Sequence, residues 1–363
     1  MFEIVFLSAV SVYFIATVIL SVGLTKKFNK LADEELPFAS VIVAARNEEQ
    51  NISECLQALS ELEYPVGKIE IIIADDASTD STNEIVRKFI ENKPKFNLIE
   101  VTDDDGKLKG KANAISQAIK IAKGEIILTT DADCVVNPFW AKTIASYYSG
   151  NTGVVCGFTL QENENLFSAM QSVDLIYLLS VAAGSMNKGN PVSAIGNNMS
   201  YRKKAYTDAG GYEAIPFSVT EDYSLIKAVD GLKKFKLIYP VDPDSLIHSK
   251  SCTTLGQLFH QKKRWAVGGL GSDLKGFIVM FTGWFANFML FLSVFFFTKT
   301  VLIIAAFKIL TDFFFLSGVY KNLTVDLKIL HFATAWLYQV VYIVFLPAAV
   351  LFSRKVKWKE REF

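Results

Sequence analysis

The sequence predicts an α/β protein with a mostly parallel sheet in its central part and transmembrane helices at its N- and C-termini. Between residues 38 and 135, apolar strand-like runs alternate with helical segments. This pattern is typical of a parallel sheet that is covered on both faces. Long uncharged stretches lie towards both ends of the 363-residue chain, and they are long enough to cross a bilayer as helices.

The N-terminal stretch, residues 4–22, contains no charged residue. A cleaved signal peptide would carry positive charge before a shorter apolar run, whereas here Lys26, Lys27 and Lys30 follow the stretch. We therefore expect a retained anchor over residues 1–25. The lysines after it predict a multi-pass protein of the inner or plasma-type cell membrane, with the following domain in the cytoplasm.

Three more apolar stretches, near 276–297, 300–319 and 329–352, predict membrane helices over residues 276–353. If all three cross, the basic tail 354–363 ends outside, which contradicts the positive-inside rule. Alternatively, the first of them lies at the interface or re-enters. The sequence leaves three or four spans open.

Composition excludes some classes of function. Lys plus Arg and Asp plus Glu both number 37, so the formal net charge is zero, and nothing in the global charge indicates a nucleic-acid partner. The four cysteines are scattered without the spacing of a metal site. In a cytoplasmic domain we expect them to be reduced, buried thiols.

The central part is predicted to form one domain over residues 36–255. Its strands are predicted at 38–45, 68–76, 96–101 and 125–133, and its helices at 49–62, 81–92 and 111–124. Ser81 and Glu84 have the spacing of a capping box. Three of the four strands end in polar clusters, and ligands bind beyond the carboxyl ends of such strands. We expect these clusters to converge on one rim.

Asp131 and Asp133 lie in the polar cluster that ends the fourth predicted strand. On an extended segment, residues i and i+2 point the same way, so both carboxylates could reach one ligand. Oxygen ligands suit Mg²⁺ or Mn²⁺. A turn or a helix cap is the alternative explanation.

Asp76 ends the second strand and could accept hydrogen bonds from the N–H groups of a base. Ser78 and Asp80 could form an Asx-turn and a helix cap instead.

Lys107, Lys109 and Lys111 lie at the start of a helix, where a positive charge interacts unfavourably with the positive end of the helix dipole. They indicate attraction to an anion such as phosphate, or a solvated basic turn.

Glu221 and Asp222 lie between apolar residues. Either could serve as a general base for a hydroxyl, or the pair could simply begin a helix after Thr220.

The segment "HQKKRWAVGG" comes shortly before the C-terminal stretches. Arg264 and Trp265 could clamp a phosphate and stack on an apolar ligand. Lys262 and Lys263 could face lipid head groups.

In combination these motifs resemble the membrane-bound family 2 glycosyltransferases, a group that includes hyaluronan, chitin and cellulose synthases and ceramide glucosyltransferases. The resemblance covers roughly residues 38–270, and it depends on the order of "VIVAARNEE", "IIIADDASTD", "GKANAISQAI", "TTDADCVV", "GNNMSYRK", "TED" and "QKKRW". It implies a GT-A (Rossmann-like) domain, an interfacial QxxRW segment over residues 256–275, and a metal-dependent hexosyltransferase of the EC 2.4 class.

The resemblance also implies roles for residues of the donor site. Arg46 and Glu48 fall in the segment that lines the nucleotide site, and Asp76 matches the carboxylate that binds the base, commonly uracil. Lys111 matches the lysine near the diphosphate. Asp131 belongs to the same donor site.

Further roles concern the metal and the reaction. Asp131 and Asp133 match the pair that binds Mg²⁺ or Mn²⁺, and Asp222, next to Glu221, matches the general base. The loop at residues 196–198 falls on the acceptor side of the family's site.

Gln261, Arg264 and Trp265 match the QxxRW motif, which in the family closes over the diphosphate and the acceptor at the membrane surface.

The function that this implies is inverting transfer of a sugar from a nucleotide-sugar donor, expected to be a UDP-sugar, to a lipid or membrane-proximal acceptor. The alternative is a processive polysaccharide synthase that extends a growing glycan as a homo-oligomer. Two other classes are a nucleotidyltransferase, which would lack the TED and QxxRW pairing, and an inactive scaffold. A scaffold would be expected to lose Asp133, Asp222 or Arg264, and all three are present.

Overall fold

A computed structural model describes residues 1–102, 108–216, 218, 220–353, 355, 357–358 and 361–362. Lys107 and part of the predicted basic tail lie outside the described residues. The α-helices are α1 Phe2–Leu24, α2 Ile52–Ser60, α3 Thr82–Ile90, α4 Lys111–Ile121, α5 Trp140–Ser146, α6 Leu166–Asn187, α7 Lys203–Asp208, α8 Gly211–Ala214, α9 Glu221–Gly231, α10 Leu255–Gly269, α11 Leu274–Ser293, α12 Lys299–Asn322 and α13 Ile329–Phe352. The β-strands are β1 Ala39–Ala45, β2 Ile69–Asp75, β3 Phe96–Glu100, β4 Ile126–Asp131, β5 Cys134–Val136, β6 Thr152–Cys156, β7 Thr159–Gln161, β8 Met199–Arg202, β9 Lys236–Ile238, β10 Ile247–Ser249, β11 Lys357–Trp358 and β12 Arg361–Glu362.

The chain divides into two compact units. The sheet unit contains Lys27–Leu160 and Ala194–Lys250, and the helical unit contains Met1–Lys26, Gln161–Ser193 and Ser251–Phe363. The predicted domain over 36–255 therefore includes a segment that belongs to the helical unit. The predicted domain boundaries stay predictions.

The sheet unit is built on a seven-stranded sheet with the order β3-β2-β1-β4-β8-β6-β9. Parallel pairing joins β1 to β2 and β4, and β2 to β3, whereas β8 runs antiparallel to β4 and β6. Strands β1, β2 and β4 are buried over almost their whole length. Burial on both faces explains why their sequences are continuous apolar runs. The prediction of a mostly parallel α/β sheet is confirmed.

The start of α3 differs from the predicted capping box of Ser81 and Glu84. Ser81 is the N-cap residue, but its side chain makes no capping hydrogen bond. Its φ of −76° and ψ of 6° are not the extended conformation from which a serine caps a helix. The Asp80 carboxylate caps the helix instead, which confirms the cap expected of Asp80: it accepts hydrogen bonds from the amides of Thr82 (3.0 Å) and Glu49 (3.1 Å).

Within the described residues, five helices of the helical unit are long and apolar enough to cross a membrane: α1, α6, α11, α12 and α13. They indicate that the chain associates with a membrane. Four of them fall on the predicted stretches, and the first C-terminal stretch forms the unbroken helix α11. The fifth, α6, lies where the sequence shows only a mixed pattern. It is largely buried inside the structure and packs against α1 and α13.

A buried ion pair lies inside the helical unit. Lys308 Nζ is 2.6 Å from the carboxylate of Asp312, one helical turn further along α12. Lys308 also donates to the Asn287 side chain (2.9 Å), and the Tyr13 hydroxyl donates to Asp312 (2.6 Å). These two ionisable residues therefore neutralise each other inside the helical unit.

The α3 cap gives a first prediction. Replacing Asp80 with Ala removes the acceptor for two backbone amides and should cost about 1 kcal/mol. In a domain of this size that corresponds to a fall of roughly 2–4 °C in Tm. The matched control is Ser81→Ala, which should change stability by less than about 0.5 kcal/mol. Thermal unfolding of both variants in detergent tests this expectation, and an equal fall in Tm for both would contradict the assignment of the cap to Asp80.

Candidate active site

Two loops are tied together at the carboxyl ends of β1 and β2. The Arg46 guanidinium donates to the carbonyl of Asp76 (2.5 Å) and lies 3.7 Å from its carboxylate. Asn47 has a φ of 52°, a left-handed conformation that asparagine tolerates better than most residues. Its side chain accepts a hydrogen bond from the Thr79 amide (2.8 Å). The predicted nucleotide-site residues Arg46 and Asp76 are thus neighbours.

Glu48 belongs to the same loop after β1. Its amide donates to the Thr82 hydroxyl (2.8 Å), and its carboxylate accepts from the Asn51 side chain (2.8 Å). The Glu48 charge also contributes to raising the pKa of the Cys55 thiol, after burial and the charges of Asp133 and Asp131. Glu48 therefore lies in the same acidic surroundings as the Asp131–Asp133 pair.

Lys111 is held among carboxylates. It begins α4 directly after Gly110, whose φ of 58° and ψ of −138° form a conformation that glycine adopts readily. Lys111 Nζ lies 2.5 Å from Asp131 Oδ1 and 3.8 Å from Glu221 Oε1. Burial by itself lowers the pKa of Lys111, but the charges of Asp131 and Glu221, with a smaller contribution from Asp222, raise it above its ordinary value. The ammonium group therefore stays protonated.

The structure corrects the local geometry that was predicted for Asp131 and Asp133. Strand β4 ends at Asp131, and residues 132–133 form a turn, because the pairing with β1 stops at Asp131. The two carboxylates therefore do not lie on one extended segment. Burial, and after it the charges of Asp133 and Asp131, raises the pKa of the Cys55 thiol, so both carboxylates act on the same buried group.

This pair of carboxylates fits a hard divalent cation. Among the residues that the structure describes, no group of three or more His, Cys, Asp or Glu side chains is placed to hold a metal. Mg²⁺ in proteins commonly uses one or two carboxylates and completes its coordination with water and substrate phosphates. The oxygen donors of Asp131 and Asp133 therefore suit Mg²⁺ or Mn²⁺ when a phosphate-bearing ligand shares it.

Glu221 and Asp222 form the first turn of α9, which has Thr220 as its N-cap residue. The prediction that a helix begins after Thr220 is confirmed. This placement sets both carboxylates at the positive end of the helix dipole, where negative charge is favoured.

The loop before β8 approaches Asp222 closely. A Cβ atom on Gly196 would lie 3.2 Å from Asp222 Oδ2 and 3.4 Å from Lys111 Nζ, so a side chain there would crowd the Asp222 carboxylate and touch the Lys111 ammonium. The Thr129 hydroxyl of β4 holds this loop with one hydrogen bond that is shared between the carbonyls of Gly196 (2.9 Å) and Met199 (3.0 Å). Thr129 was not predicted, although two threonines after an apolar run in one strand are a signal that could have identified it.

The two asparagines that follow Gly196 are buried in the framework. Asn198 donates to the carbonyls of Phe158 (2.7 Å) and Ser245 (2.9 Å) and accepts from the Trp140 indole (2.9 Å). Asn197 accepts from the Thr159 hydroxyl (2.8 Å). Their hydrogen bonds fix the position of the loop.

The QxxRW residues lie on α10, in the helical unit. Gln261, Arg264 and Trp265 are half-buried, and their i, i+3, i+4 spacing places them on one face of the helix. Lys262 does not face lipid head groups, contrary to the prediction. It is buried and forms an ion pair with Asp174 of α6.

Comparison with known families identifies the chain. The family described as Glycosyl transferase family 2 matches residues 40–210, and Glycosyl transferase family group 2 matches residues 126–352, which is more than half of the chain. The chain belongs to the family 2 glycosyltransferases. The resemblance that its motifs indicate is confirmed, and a nucleotidyltransferase is excluded as its family.

Two curated members of family 2 illustrate the range of similar proteins. The chain is 28% identical over 247 residues to the beta-monoglucosyldiacylglycerol synthase of Nostoc sp., a match that covers 67% of this chain and 51% of that protein. It is 28% identical over 264 residues to the poly-beta-1,6-N-acetyl-D-glucosamine synthase of Staphylococcus epidermidis, covering 69% and 60%. The matches therefore span about half to three fifths of the length of these relatives.

A solved structure shows the same fold. The mannosyltransferase PcManGT from Pyrobaculum calidifontis, in complex with GDP-Man and Mn²⁺, superimposes with a TM-score of 0.61 at 18% identity, covering 94% of this chain and 99% of that one. At this identity the likeness concerns the fold alone, and it confirms the predicted GT-A fold.

The carboxylate cluster gives a second prediction. Lys111→Met leaves Asp131 and Glu221 without the ammonium group that pairs with them and should lower the stability by about 1–2 kcal/mol. This is less than for a fully buried pair because Asp131 is 35% exposed. Lys111→Met/Asp131→Asn should recover part of the loss, since it removes the strongest unpaired charge.

Lys120→Met is the matched control, because Lys120 lies on the same helix and pairs with Glu213 at 3.4 Å on the exposed surface. Its Tm in detergent should stay close to that of the wild type. If Lys111→Met were as stable as this control, the cluster would not depend on Lys111.

Proposed function

We propose that the protein is an inverting glycosyltransferase that transfers a sugar from a nucleotide-sugar donor to a hydroxyl group of a membrane lipid or another membrane-proximal acceptor. One observation carries this proposal: Lys111 Nζ lies 2.5 Å from Asp131, and Asp222 lies beside the same ammonium at the Gly196 loop. A cation for a departing diphosphate and a carboxylate for an acceptor hydroxyl therefore occur side by side, as transfer requires.

In this proposal Asp222 is the general base. Its carboxylate removes the proton from the acceptor hydroxyl while that oxygen attacks the anomeric carbon and the bond from that carbon to the diphosphate breaks. A single displacement inverts the configuration, so an α-linked donor gives a β-linked product. Glu221 lies 3.8 Å from Lys111 and helps to keep the ammonium protonated.

The leaving diphosphate gains negative charge as the bond breaks. Lys111 stabilises this charge, and Arg264 of the QxxRW motif, with Gln261 and Trp265, is proposed for the same step. A Mg²⁺ or Mn²⁺ ion held by Asp131 and Asp133 would supply further charge neutralisation on the diphosphate.

The base of the nucleotide is proposed to bind at the loops after β1 and β2. The Asp76 carboxylate accepts hydrogen bonds from the base, and Arg46, 3.7 Å away, fixes its position together with the loop that carries Glu48. We expect uracil. The similar mannosyltransferase PcManGT was solved with GDP-Man, so guanine is the alternative that the test below includes.

A lipid acceptor is favoured because one similar protein is named a monoglucosyldiacylglycerol synthase and because the helical unit carries candidate membrane spans. The lysines after α1, Lys26 and Lys27, favour a cytoplasmic catalytic unit. A processive synthase that works as an oligomer is the second candidate, since another similar protein is named a poly-N-acetylglucosamine synthase.

A third prediction tests the reaction. Purified protein in detergent, supplied with lipid extract and Mn²⁺ or Mg²⁺, should release nucleoside diphosphate from one donor in a panel of UDP- and GDP-sugars. The product should be a lipid with one added sugar in β-linkage by NMR. Chelation with EDTA should abolish release. Asp222→Asn should lower kcat about 10³-fold or more, because the general base is lost.

Asp230→Asn is the matched control, because Asp230 lies on the same helix α9 and pairs with Lys233 near its end. It should keep the wild-type rate. A long polymer of mixed length would favour the processive synthase. An α-linked product, or full activity in Asp222→Asn, would refute the proposed mechanism.

A further inference from the structure

We propose that Asp174 of α6 and Lys262 of α10 are positioning residues that fix the QxxRW helix for sugar transfer. This inference rests on the proposed function. Its basis is a buried ion pair between α10 and α6. The lysine of this pair lies between two residues of the motif, whereas α6 carries none of the residues predicted for the site.

The pair is completely enclosed within the helical unit. Asp174 and Lys262 are both buried, and the Lys262 ammonium contacts one carboxylate oxygen of Asp174. The other oxygen accepts hydrogen bonds from the Gln339 side chain (2.8 Å) and the Tyr342 hydroxyl (3.0 Å), both on α13. One carboxylate thus connects α6, α10 and α13.

A second contact from the same face of α6 holds the segment before α10. Gln171 lies one helical turn before Asp174 and is buried. Its side chain donates to the Cys252 carbonyl (2.9 Å) and accepts from the Cys252 amide (2.9 Å). Helix α6 therefore holds both the approach to α10 and the middle of α10.

The ion pair also reaches a motif residue directly. Lys262 Nζ lies 4.4 Å from the centre of the Trp265 ring, within the range of a cation–π interaction. Because Lys262 has Gln261 before it and Arg264 two residues after it, any rotation or sliding of α10 that breaks the pair also displaces all three motif side chains.

Energetics favour positioning over stabilisation as the role of this pair. A buried ion pair contributes little net stability compared with apolar residues of similar volume, but it is costly to break by removing one partner. Such a pair specifies one arrangement of its helices, since a shifted arrangement leaves two buried charges unpaired. Correct placement of groups around a reacting centre is worth large factors in rate.

The test compares two buried Lys–Asp pairs of the helical unit. Lys262→Met breaks the proposed anchor, and Lys308→Met, whose lysine pairs with Asp312 at 2.6 Å, is the matched control. Should Lys262→Met not fold, Asp174→Asn/Lys262→Met removes both charges and is expected to fold. Lys262→Arg keeps the charge. For each variant we would measure kcat, the donor KM, Tm, and amide hydrogen exchange of residues 255–269 in the full-length protein.

We expect Lys262→Met to lower kcat about tenfold or more with the donor KM changed less than about threefold, and to speed hydrogen exchange across α10. The double variant should be similar, and Lys262→Arg should recover part of kcat. Lys308→Met should lower Tm to a comparable extent while kcat and α10 exchange stay at wild-type values.

Two results would overturn the inference: unchanged exchange of α10 in Lys262→Met, or an equal loss of kcat in Lys308→Met. Failure of the proposed function has a different signature, because the wild type itself would then transfer no sugar from any donor. In that case the proposed role of the pair in catalysis would be wrong as well. The exchange measurement would still decide whether the pair anchors α10.

Discussion

The candidate site depends on one constraint: several carboxylates can converge in a half-buried position only if a cation lies among them. Lys111 provides this cation, at 2.5 Å from Asp131 and 3.8 Å from Glu221. Like charges brought together without it would repel one another and take up protons. The end of β4, the start of α4 and the start of α9 therefore depend on the position of this one ammonium group.

The parallel sheet is the reason that these groups can meet. Strands β1, β2 and β4 are adjacent and parallel, so their carboxyl ends share one edge, where ligands bind in such sheets. Glycine then allows the close approach: Gly110 turns the chain into α4, and Gly196 leaves room beside Asp222. The same edge also suits a phosphate ligand, because Lys111 gives it an ammonium group that stays protonated.

Much of the sheet unit could be predicted from the sequence, because its signals are local. The apolar runs of the buried strands, the helical spacing after each of them and the ordered series of motifs all lie within short windows.

Features set by distant residues could not be predicted. The long apolar helix α6 was not predicted, because Gln171 and Asp174 interrupt its apolar sequence. The residues that pair with them, Cys252 and Lys262, lie more than eighty residues further along the chain. For the same reason Lys262 was expected at the lipid surface. At the start of α3 the sequence offered both Ser81 and Asp80 as the cap, and local spacing does not reveal that Asp80 also binds the neighbouring loop.

The most direct measurement of the central claim is the affinity of the purified protein for UDP and GDP by calorimetry, with and without Mn²⁺, in the wild type and in Asp133→Asn. If Asp131 and Asp133 hold a cation that the diphosphate shares, one nucleotide should bind about tenfold or more tightly with Mn²⁺ than without it. Asp133→Asn should lose this difference. Equal affinity with and without the metal in the wild type would contradict the claim that this carboxylate pair forms the diphosphate site.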